Sequence, residues 1–171
     1  MKIMAIGSAL LLAGCATQRG FPPEHQISNF DHVDAGLYRG AQPTASGIEY
    51  LQSLGVKSIV CLREADDVPA YEKLAAERLG LIWTNLPMSG LCAPTKAQMD
   101  SILATIEALP APIFVHCQFG CDRTGTVVAC YRIEQGWSNQ QALQEAETYG
   151  ISKLLVGMRH FITHYQNGGG D

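Results

Sequence analysis

Short apolar runs alternate with amphipathic segments along most of the chain. Runs rich in β-branched residues predict buried strands, and apolar residues three and four positions apart predict helices. The predicted strands are a pair within 29–40 and single strands at 56–62, 81–86 and 111–115. The predicted helices are 45–54, 68–79, a segment capped by Thr95, 126–135, a segment capped by Ser138 and 152–166. This alternation predicts an α/β fold with a mostly parallel central sheet flanked by helices on both faces.

The ten residues 116–125, HCQFGCDRTG, lie between a predicted strand and a predicted helix. A tight loop in this position directs backbone N–H groups and the positive end of the helix dipole at one small volume, which suits an anion such as phosphate. Cys117 opens the loop, and Arg123 closes it six residues later. The segment therefore combines a nucleophile with an anion site.

The side chains of this loop favour covalent phosphoryl transfer. The N–H groups, the helix terminus and Arg123 are expected to lower the pKa of the Cys117 thiol, and only the thiolate attacks well. The planar guanidinium of Arg123 can bind two phosphate oxygens at once. Thr124 can donate its hydroxyl to the sulfur when the phosphate leaves, and we interpret His116 as a structural side chain that fixes the sulfur. The predicted phosphate-binding residues are Gln118, Phe119, Gly120, Cys121, Asp122 and Arg123.

The loop resembles the signature H-C-x5-R-T/S of the protein tyrosine phosphatase superfamily. Residues 37–43, LYRGAQP, are similar to the opening of its small dual-specificity group, which includes atypical plant and fungal phosphatases, and the likeness covers roughly 29–165. The resemblance implies the cysteine-phosphatase architecture and hydrolysis through a phosphocysteine. We expect neither a metal nor a cofactor.

The general acid departs from the pattern that the resemblance implies. Members of the family usually carry an aspartate in the loop before the Thr95-type helix, but residues 87–94 contain no Asp or Glu. Asp122 is the predicted replacement, because a carboxylate beside a phosphate dianion has its pKa raised and can donate a proton. Asp66 and Asp67, after the strand around Val60, are the alternatives.

The first residues are typical of a bacterial lipoprotein signal. A lysine precedes a short apolar run that ends Leu-Ala-Gly-Cys, which resembles a lipobox, so we predict a signal peptide at 1–14 and a lipid on Cys15. Ala16 favours the periplasmic side of an outer membrane. The predicted domain map continues with a tether up to residue 28, a phosphatase domain at 29–167 and a flexible tail at 168–171.

The remaining cysteines are odd in number once Cys15 carries a lipid, which leaves at least one free thiol. Cys117 could form a reversible disulfide with Cys121 or Cys61, or these residues could simply be buried. Arg39 and His32 are expected to make structural or surface contacts, with a second phosphate contact as the less favoured alternative.

The formal charge of −4 argues against a broad nucleic-acid surface. We expect a monomer that acts on a phosphorylated protein or a small phosphorylated substrate. The favoured function is a tyrosine or dual-specificity phosphatase, and the alternative is an inositol phosphate or phosphoinositide phosphatase with the same mechanism. A phosphate-binding module has no need of the nucleophile, and a rhodanese-like sulfurtransferase fits the Arg and Thr spacing less well.

Overall fold

The computed structural model describes residues 19–166. Within them a five-stranded sheet has the order β1-β2-β5-β3-β4, in which only β1 pairs antiparallel with its neighbour. The strands are β1 Asp31–Asp34, β2 Leu37–Ala41, β3 Ser58–Cys61, β4 Ile82–Asn85 and β5 Ile113–Cys117. The predicted mostly parallel sheet is therefore confirmed.

The helices are α1 Ala45–Ser53, α2 Ala70–Arg78, α3 Lys96–Ala108, α4 Asp122–Glu134, α5 Asn139–Thr148 and α6 Val156–His164. Side-chain caps define several of their starts, since the hydroxyls of Thr95 and Ser138 each accept a hydrogen bond from the backbone three residues later. Gln141 completes the capping box at α5. None of these helices within 19–166 has the length and hydropathy needed to span a membrane.

The two faces of the sheet bury different helices. Along β5, Ile113, Val115 and Cys117 contact the core that includes α3 to α6, whereas Phe114 packs in the core beneath α1 and α2. This alternation is the period of two expected of a strand that is buried on both faces. As a result the carboxyl end of β5 lies at the centre of the sheet, with helices on either side.

Three boundaries differ from the sequence-based prediction. Helix α4 begins at Asp122, four residues before the predicted start at 126, so the last residues of the predicted loop are helical. The predicted tether is already packed on the domain from residue 19, because the buried amide of Asn29 accepts from the Phe21 N–H at 2.6 Å and donates to the Arg19 carbonyl at 3.1 Å. The last helix is shorter than predicted and begins at Val156. The predicted signal peptide at 1–14, Cys15 and the predicted tail at 168–171 lie outside the described residues.

Candidate active site

The loop between β5 and α4 begins where two parallel strands end together. Ala41 at the end of β2 pairs with Cys117 in register, so the loop rises over the end of β2. Gly120 adopts φ +70°, and a Cβ at this position would lie 2.6 Å from the backbone carbon of Gly40. Only glycine fits this close approach without strain. The Gly120 carbonyl accepts a hydrogen bond from Arg39 Nη2 at 3.0 Å.

Cys117 is nearly buried, with 2% of its surface exposed. Burial alone would raise the pKa of its thiol, but hydrogen bonds from the Thr124 side chain and backbone, the charge of Arg123 and the Phe119 N–H together lower it. The buried Thr124 hydroxyl has no other hydrogen-bond partner in the described part of the chain. The loop therefore stabilises the thiolate, which is the reactive form.

Arg123 is held from behind by backbone carbonyls. Its Nη1 lies 3.5 Å from the Leu62 oxygen and 3.4 Å from the Met88 oxygen, and 6% of the residue is exposed. Gly90 lies beside it, where a Cβ would make an ordinary van der Waals contact with the Arg123 Cζ at 3.9 Å. The guanidinium and the Cys117 thiol line the same pocket.

His116 points away from this pocket and pairs with a buried glutamate. Its Nε2 lies 2.6 Å from Glu72 Oε1, and both side chains are fully buried. Burial by itself would lower the pKa of His116, but contacts with Cys61 and Glu72 raise it to about 10. Burial likewise opposes the charge on Glu72, whose pKa is nevertheless lowered by the hydrogen bond from His116. The imidazolium thus lies directly before the nucleophile as a charged structural group.

Glu72 is a buried partner of the catalytic segment that sequence reasoning missed. It also accepts hydrogen bonds from Trp83 Nε1 at 3.0 Å and Gln42 Nε2 at 2.7 Å. The sequence contains a sign of this role, because Glu72 lies four positions before Ala76 and so shares the buried face of α2 with it. A glutamate on such a face needs a buried partner.

Cys61, Glu72 and His116 have donor atoms within 4.8 Å of one another, which is the spacing of a metal site. All three are buried, and the charges of Glu72 and His116 already neutralise each other. Within residues 19–166, these three therefore fit an ion pair with a neighbouring thiol better than a metal centre.

Asp122, the predicted acid, lines the pocket but is already bonded to three donors. Arg19 Nη1 and Nη2 lie 3.0 Å and 2.6 Å from its two oxygens, and the Ser152 N–H lies 2.7 Å from Oδ1. Both oxygens of the Asp122 carboxyl group are therefore already engaged as acceptors. The arrangement fits an anchor for the N-terminal segment better than a proton donor, and the acid role of Asp122 stays a prediction.

The alternatives Asp66 and Asp67 are separated by the fold. Asp67 lines the pocket, where the Arg63 side chain holds it at 2.7 Å and lowers its pKa. Asp66 is exposed and does not line the pocket. Glu64, which the sequence did not single out, lines the pocket and has no side-chain hydrogen bond or ion pair within the described residues.

The pocket has a volume of about 600 Å³ and opens at the carboxyl ends of the parallel strands. Of the predicted phosphate-binding residues, it is lined by Gln118, Phe119, Asp122 and Arg123. A second pocket of about 670 Å³ lies at the opposite end of the sheet, around the start of β2 and the end of α4. It has no cysteine, so the chemistry identifies the first pocket as the site.

The side chains of Cys121, Arg39 and His32 make structural or surface contacts, and the phosphate-binding role of Cys121 stays a prediction. Cys121 is buried, its pKa is raised to about 11 by burial, and its sulfur bonds to the Phe119 carbonyl at 3.3 Å. Arg39 is buried beneath the loop, with its guanidinium 3.6 Å from the Tyr149 ring. His32 is exposed and packs against Tyr38. The regulatory disulfide stays a prediction, since the five described cysteines are all free.

Comparison with known proteins agrees with a cysteine-phosphatase fold. The model of a family described as "DSP-PTPase phosphatase fused to NAD+ Kinase" matches residues 22–163. The core catalytic domain of the PP-IP phosphatase SIW14 from S. cerevisiae is similar in structure, with a TM-score of 0.73, 27% identity, and coverage of 88% of this chain and 90% of that one.

Two curated relatives are similar in sequence. The dual specificity protein phosphatase TpbA of Pseudomonas aeruginosa is 34% identical over 126 residues, which are 72% of this chain and 55% of the relative. The inositol diphosphatase DSP1 of Oryza sativa subsp. japonica is 28% identical over 138 residues, which are 78% of this chain and 62% of the relative. The chain therefore spans just over half the length of each.

Proposed function

The chain belongs to the family described as DSP-PTPase phosphatase fused to NAD+ kinase, and we propose that it hydrolyses phosphate monoesters through a phosphocysteine on Cys117. The observation that carries this proposal is the pairing of a stabilised thiolate with a buried guanidinium at the base of one pocket. The family membership supports the same reaction class.

The reaction takes place in two displacements. The Cys117 sulfur attacks phosphorus and the ester oxygen leaves, while Arg123 and the loop N–H groups hold the other phosphate oxygens. Water then attacks the phosphocysteine, the S–P bond breaks, and inorganic phosphate is released. The buried Thr124 hydroxyl faces the sulfur and stabilises it as it leaves.

The favoured substrate is a phosphorylated protein, at tyrosine and at serine or threonine. The charged residues that line the pocket are Arg19, Arg123, Glu64, Asp67 and Asp122, so acidic groups exceed basic ones by one. An excess of negative charge disfavours a polyphosphorylated ring more than a monoester. Inositol phosphates and phosphoinositides are the second candidate, because similar proteins are named as an inositol diphosphatase and a PP-IP phosphatase.

Phosphate release by the whole chain from phosphopeptides, inositol phosphates and phosphoinositides tests the proposal. Cys117→Ser is the blank, because the hydroxyl keeps the shape of the loop but is a much weaker nucleophile. We expect turnover on phosphopeptides that is at least 100-fold above the blank, an order of magnitude typical of loss of a covalent nucleophile. Equal rates for the two proteins on every substrate would refute the enzyme function.

The proton donor for the leaving group is best sought among the pocket carboxylates. Asp122 and Asp67 are each held by an arginine, whereas Glu64 has no such partner within 19–166. The Glu64 side chain can therefore turn towards a leaving group without breaking an ion pair.

The variants Glu64→Gln, Asp67→Asn and Asp122→Asn distinguish the donors. Loss of the true acid lowers kcat strongly on phenyl phosphate, removes the basic limb of its pH profile, and has little effect on p-nitrophenyl phosphate, whose leaving group needs no proton. A Glu64→Gln variant with equal losses on both substrates would exclude Glu64, and the same criterion applies to Asp122.

The proposal includes the cellular location. The lipobox-like end of the predicted signal supports a mature chain that begins at Cys15 and carries a lipid there, on the periplasmic face of an outer membrane. Membrane fractionation of the parent chain against Cys15→Ser tests this. A Cys15→Ser protein that still sediments with membranes would contradict the anchor.

A further inference from the structure

The rim of the catalytic pocket is apolar and exposed. Leu154 and Leu91 are the two most exposed large apolar side chains in residues 19–166, at 89% and 81%, and both line this pocket. Phe119, at 55%, lines it as well. Leu91, Phe119 and Leu154, here called the apolar rim, come from three separate loops that meet at the pocket mouth. Exposed apolar groups gathered in this way mark an interaction surface.

The start of the described chain is fixed at the same mouth. Arg19 lines the pocket, forms a bidentate ion pair with Asp122, and has its carbonyl held by Asn29. Phe21 packs edge-on against Tyr149 at 5.1 Å between ring centroids. The polypeptide therefore approaches the domain beside the catalytic loop and not at the far end of the sheet.

The length of chain before Arg19 limits how far the mouth can be from the lipid. Cys15 precedes Arg19 by four residues. Four residues reach at most about 14 Å whatever their path, because the extended backbone spans about 3.6 Å per residue. The lipid on Cys15, which belongs to the function proposed above, would thus hold the pocket mouth close to the bilayer surface.

We propose that the apolar rim lies on the lipid bilayer that holds Cys15, so that the catalytic pocket opens towards the membrane surface. The short connection makes this second contact intramolecular, so three exposed apolar side chains suffice even though they would bind membranes weakly alone. Lys153, exposed beside Leu154, adds a positive charge that can face anionic headgroups. The partner of the apolar rim is the bilayer. With the pocket in this orientation, only phosphate esters that lie near the membrane surface can reach Cys117.

Tryptophan quenching in vesicles tests this orientation. The full lipidated chain is reconstituted into phosphatidylethanolamine and phosphatidylglycerol vesicles whose acyl chains are brominated. Leu154→Trp places a fluorophore on the rim. Ile82→Trp is the matched control, because Ile82 is an exposed apolar residue at the amino end of β4, at the opposite end of the sheet. The parent chain gives the background from Trp83 and Trp137.

We expect brominated lipid to quench the added fluorescence of Leu154→Trp about twofold or more and that of Ile82→Trp hardly at all, in line with burial of the rim at the acyl boundary. Equal quenching of both, or none of either, would overturn the proposal, and the rim would then be left to contact substrate. A mature chain without the diacylglyceryl mass on Cys15 would overturn it too.

Catalysis is measured separately on the same vesicles with p-nitrophenyl phosphate and the parent chain. The fluorescence result does not depend on turnover. An inactive chain whose rim is quenched would therefore refute the phosphatase function and support the membrane contact, and an active chain without quenching would do the reverse.

Discussion

Replacement of Glu72 by glutamine removes the only carboxylate that pairs with the buried His116 within the described residues. Glutamine keeps the size of the side chain and can still bond to its neighbours, so the change isolates the charge. The imidazolium would then be buried without a counter-charge, which is far more costly than burial of the pair. His116 would lose its proton to avoid that cost.

The size of the effect follows from the pKa of His116. The rise from 6.5 to about 10 corresponds to about 5 kcal/mol, at about 1.36 kcal/mol for each tenfold change in proton affinity. Contacts with both Cys61 and Glu72 raise this pKa, so only part of this free energy depends on Glu72. We therefore expect Glu72→Gln to lower the free energy of unfolding at neutral pH by about 3–5 kcal/mol, which is the range for a broken buried pair. That is a large fraction of the stability of a domain of this size.

The sign of the pH dependence is fixed by the direction of the shift. A raised pKa stabilises the folded protein fully below the unfolded value of 6.5, and this stabilisation is lost as pH rises towards about 10. The parent chain should therefore lose stability across this range, whereas Glu72→Gln should lack this decline. The difference in stability between the two proteins is expected to be largest at the acidic end of the range, near pH 6, and to narrow in alkali.

Urea unfolding at several pH values between about 6 and 10 measures both quantities. Glu77→Gln is the control, because Glu77 lies on the same helix and its one ion pair within residues 19–166 is an exposed pair with Lys73, worth at most about 1 kcal/mol. A Glu72→Gln chain no less stable than the Glu77→Gln control, or one that keeps the alkaline decline of the parent, would refute the buried charged pair.

Three further substitutions probe the catalytic loop. Gly120→Ala should destabilise the fold by about 1–3 kcal/mol and abolish turnover. Gly55→Ala is the urea-unfolding control for backbone strain alone, because Gly55 has φ +83° and open space around it. Equal losses of stability in the two variants would contradict a clash between the added methyl group and the Gly40 backbone. Arg39→Met should lower kcat, since it frees the Gly120 carbonyl from its hydrogen bond. It should cost little stability, because it also removes a buried guanidinium that has two nitrogens without a hydrogen-bond partner in the described chain. Unfolding in urea at a much lower midpoint would contradict this. Thr124→Val should move alkylation of Cys117 by iodoacetamide to higher pH, and an unchanged profile would exclude the hydroxyl as a stabiliser of the thiolate.

The catalytic loop could be predicted because its chemistry is local. Cys117 and Arg123 lie in one segment, and a strand followed by a helix brings their groups together whatever the rest of the fold. Glu72 could not be paired with His116 in the same way, because 44 residues separate them and only the sheet brings α2 over the end of β5. A structural role for His116 could be predicted without knowledge of its partner. Its positive charge could not, because that charge depends on Glu72.

The N-terminal boundary was predicted from composition and differed for a physical reason. Gly20, Pro22 and Pro23 are typical of a tether. In the structure one buried amide, that of Asn29, bonds to the Phe21 N–H and the Arg19 and Phe119 carbonyls. The polar side chains of Asn29 and Asp122 thus attach a segment of loop composition to the catalytic loop. Such bonds cannot be predicted from the pattern of apolar residues.

The search for the proton donor shows how the fold adds candidates that are distant from the loop in sequence. Asp122 adjoins Arg123 in the chain, yet its position at the start of α4 directs its carboxylate to Arg19 and the Ser152 N–H. Glu64 is distant in sequence but follows β3, whose carboxyl end borders the same pocket. A parallel sheet collects chemistry from the ends of several strands. The acid for this loop is therefore expected from a neighbouring strand, which is why Glu64→Gln is the more informative variant than Asp122→Asn.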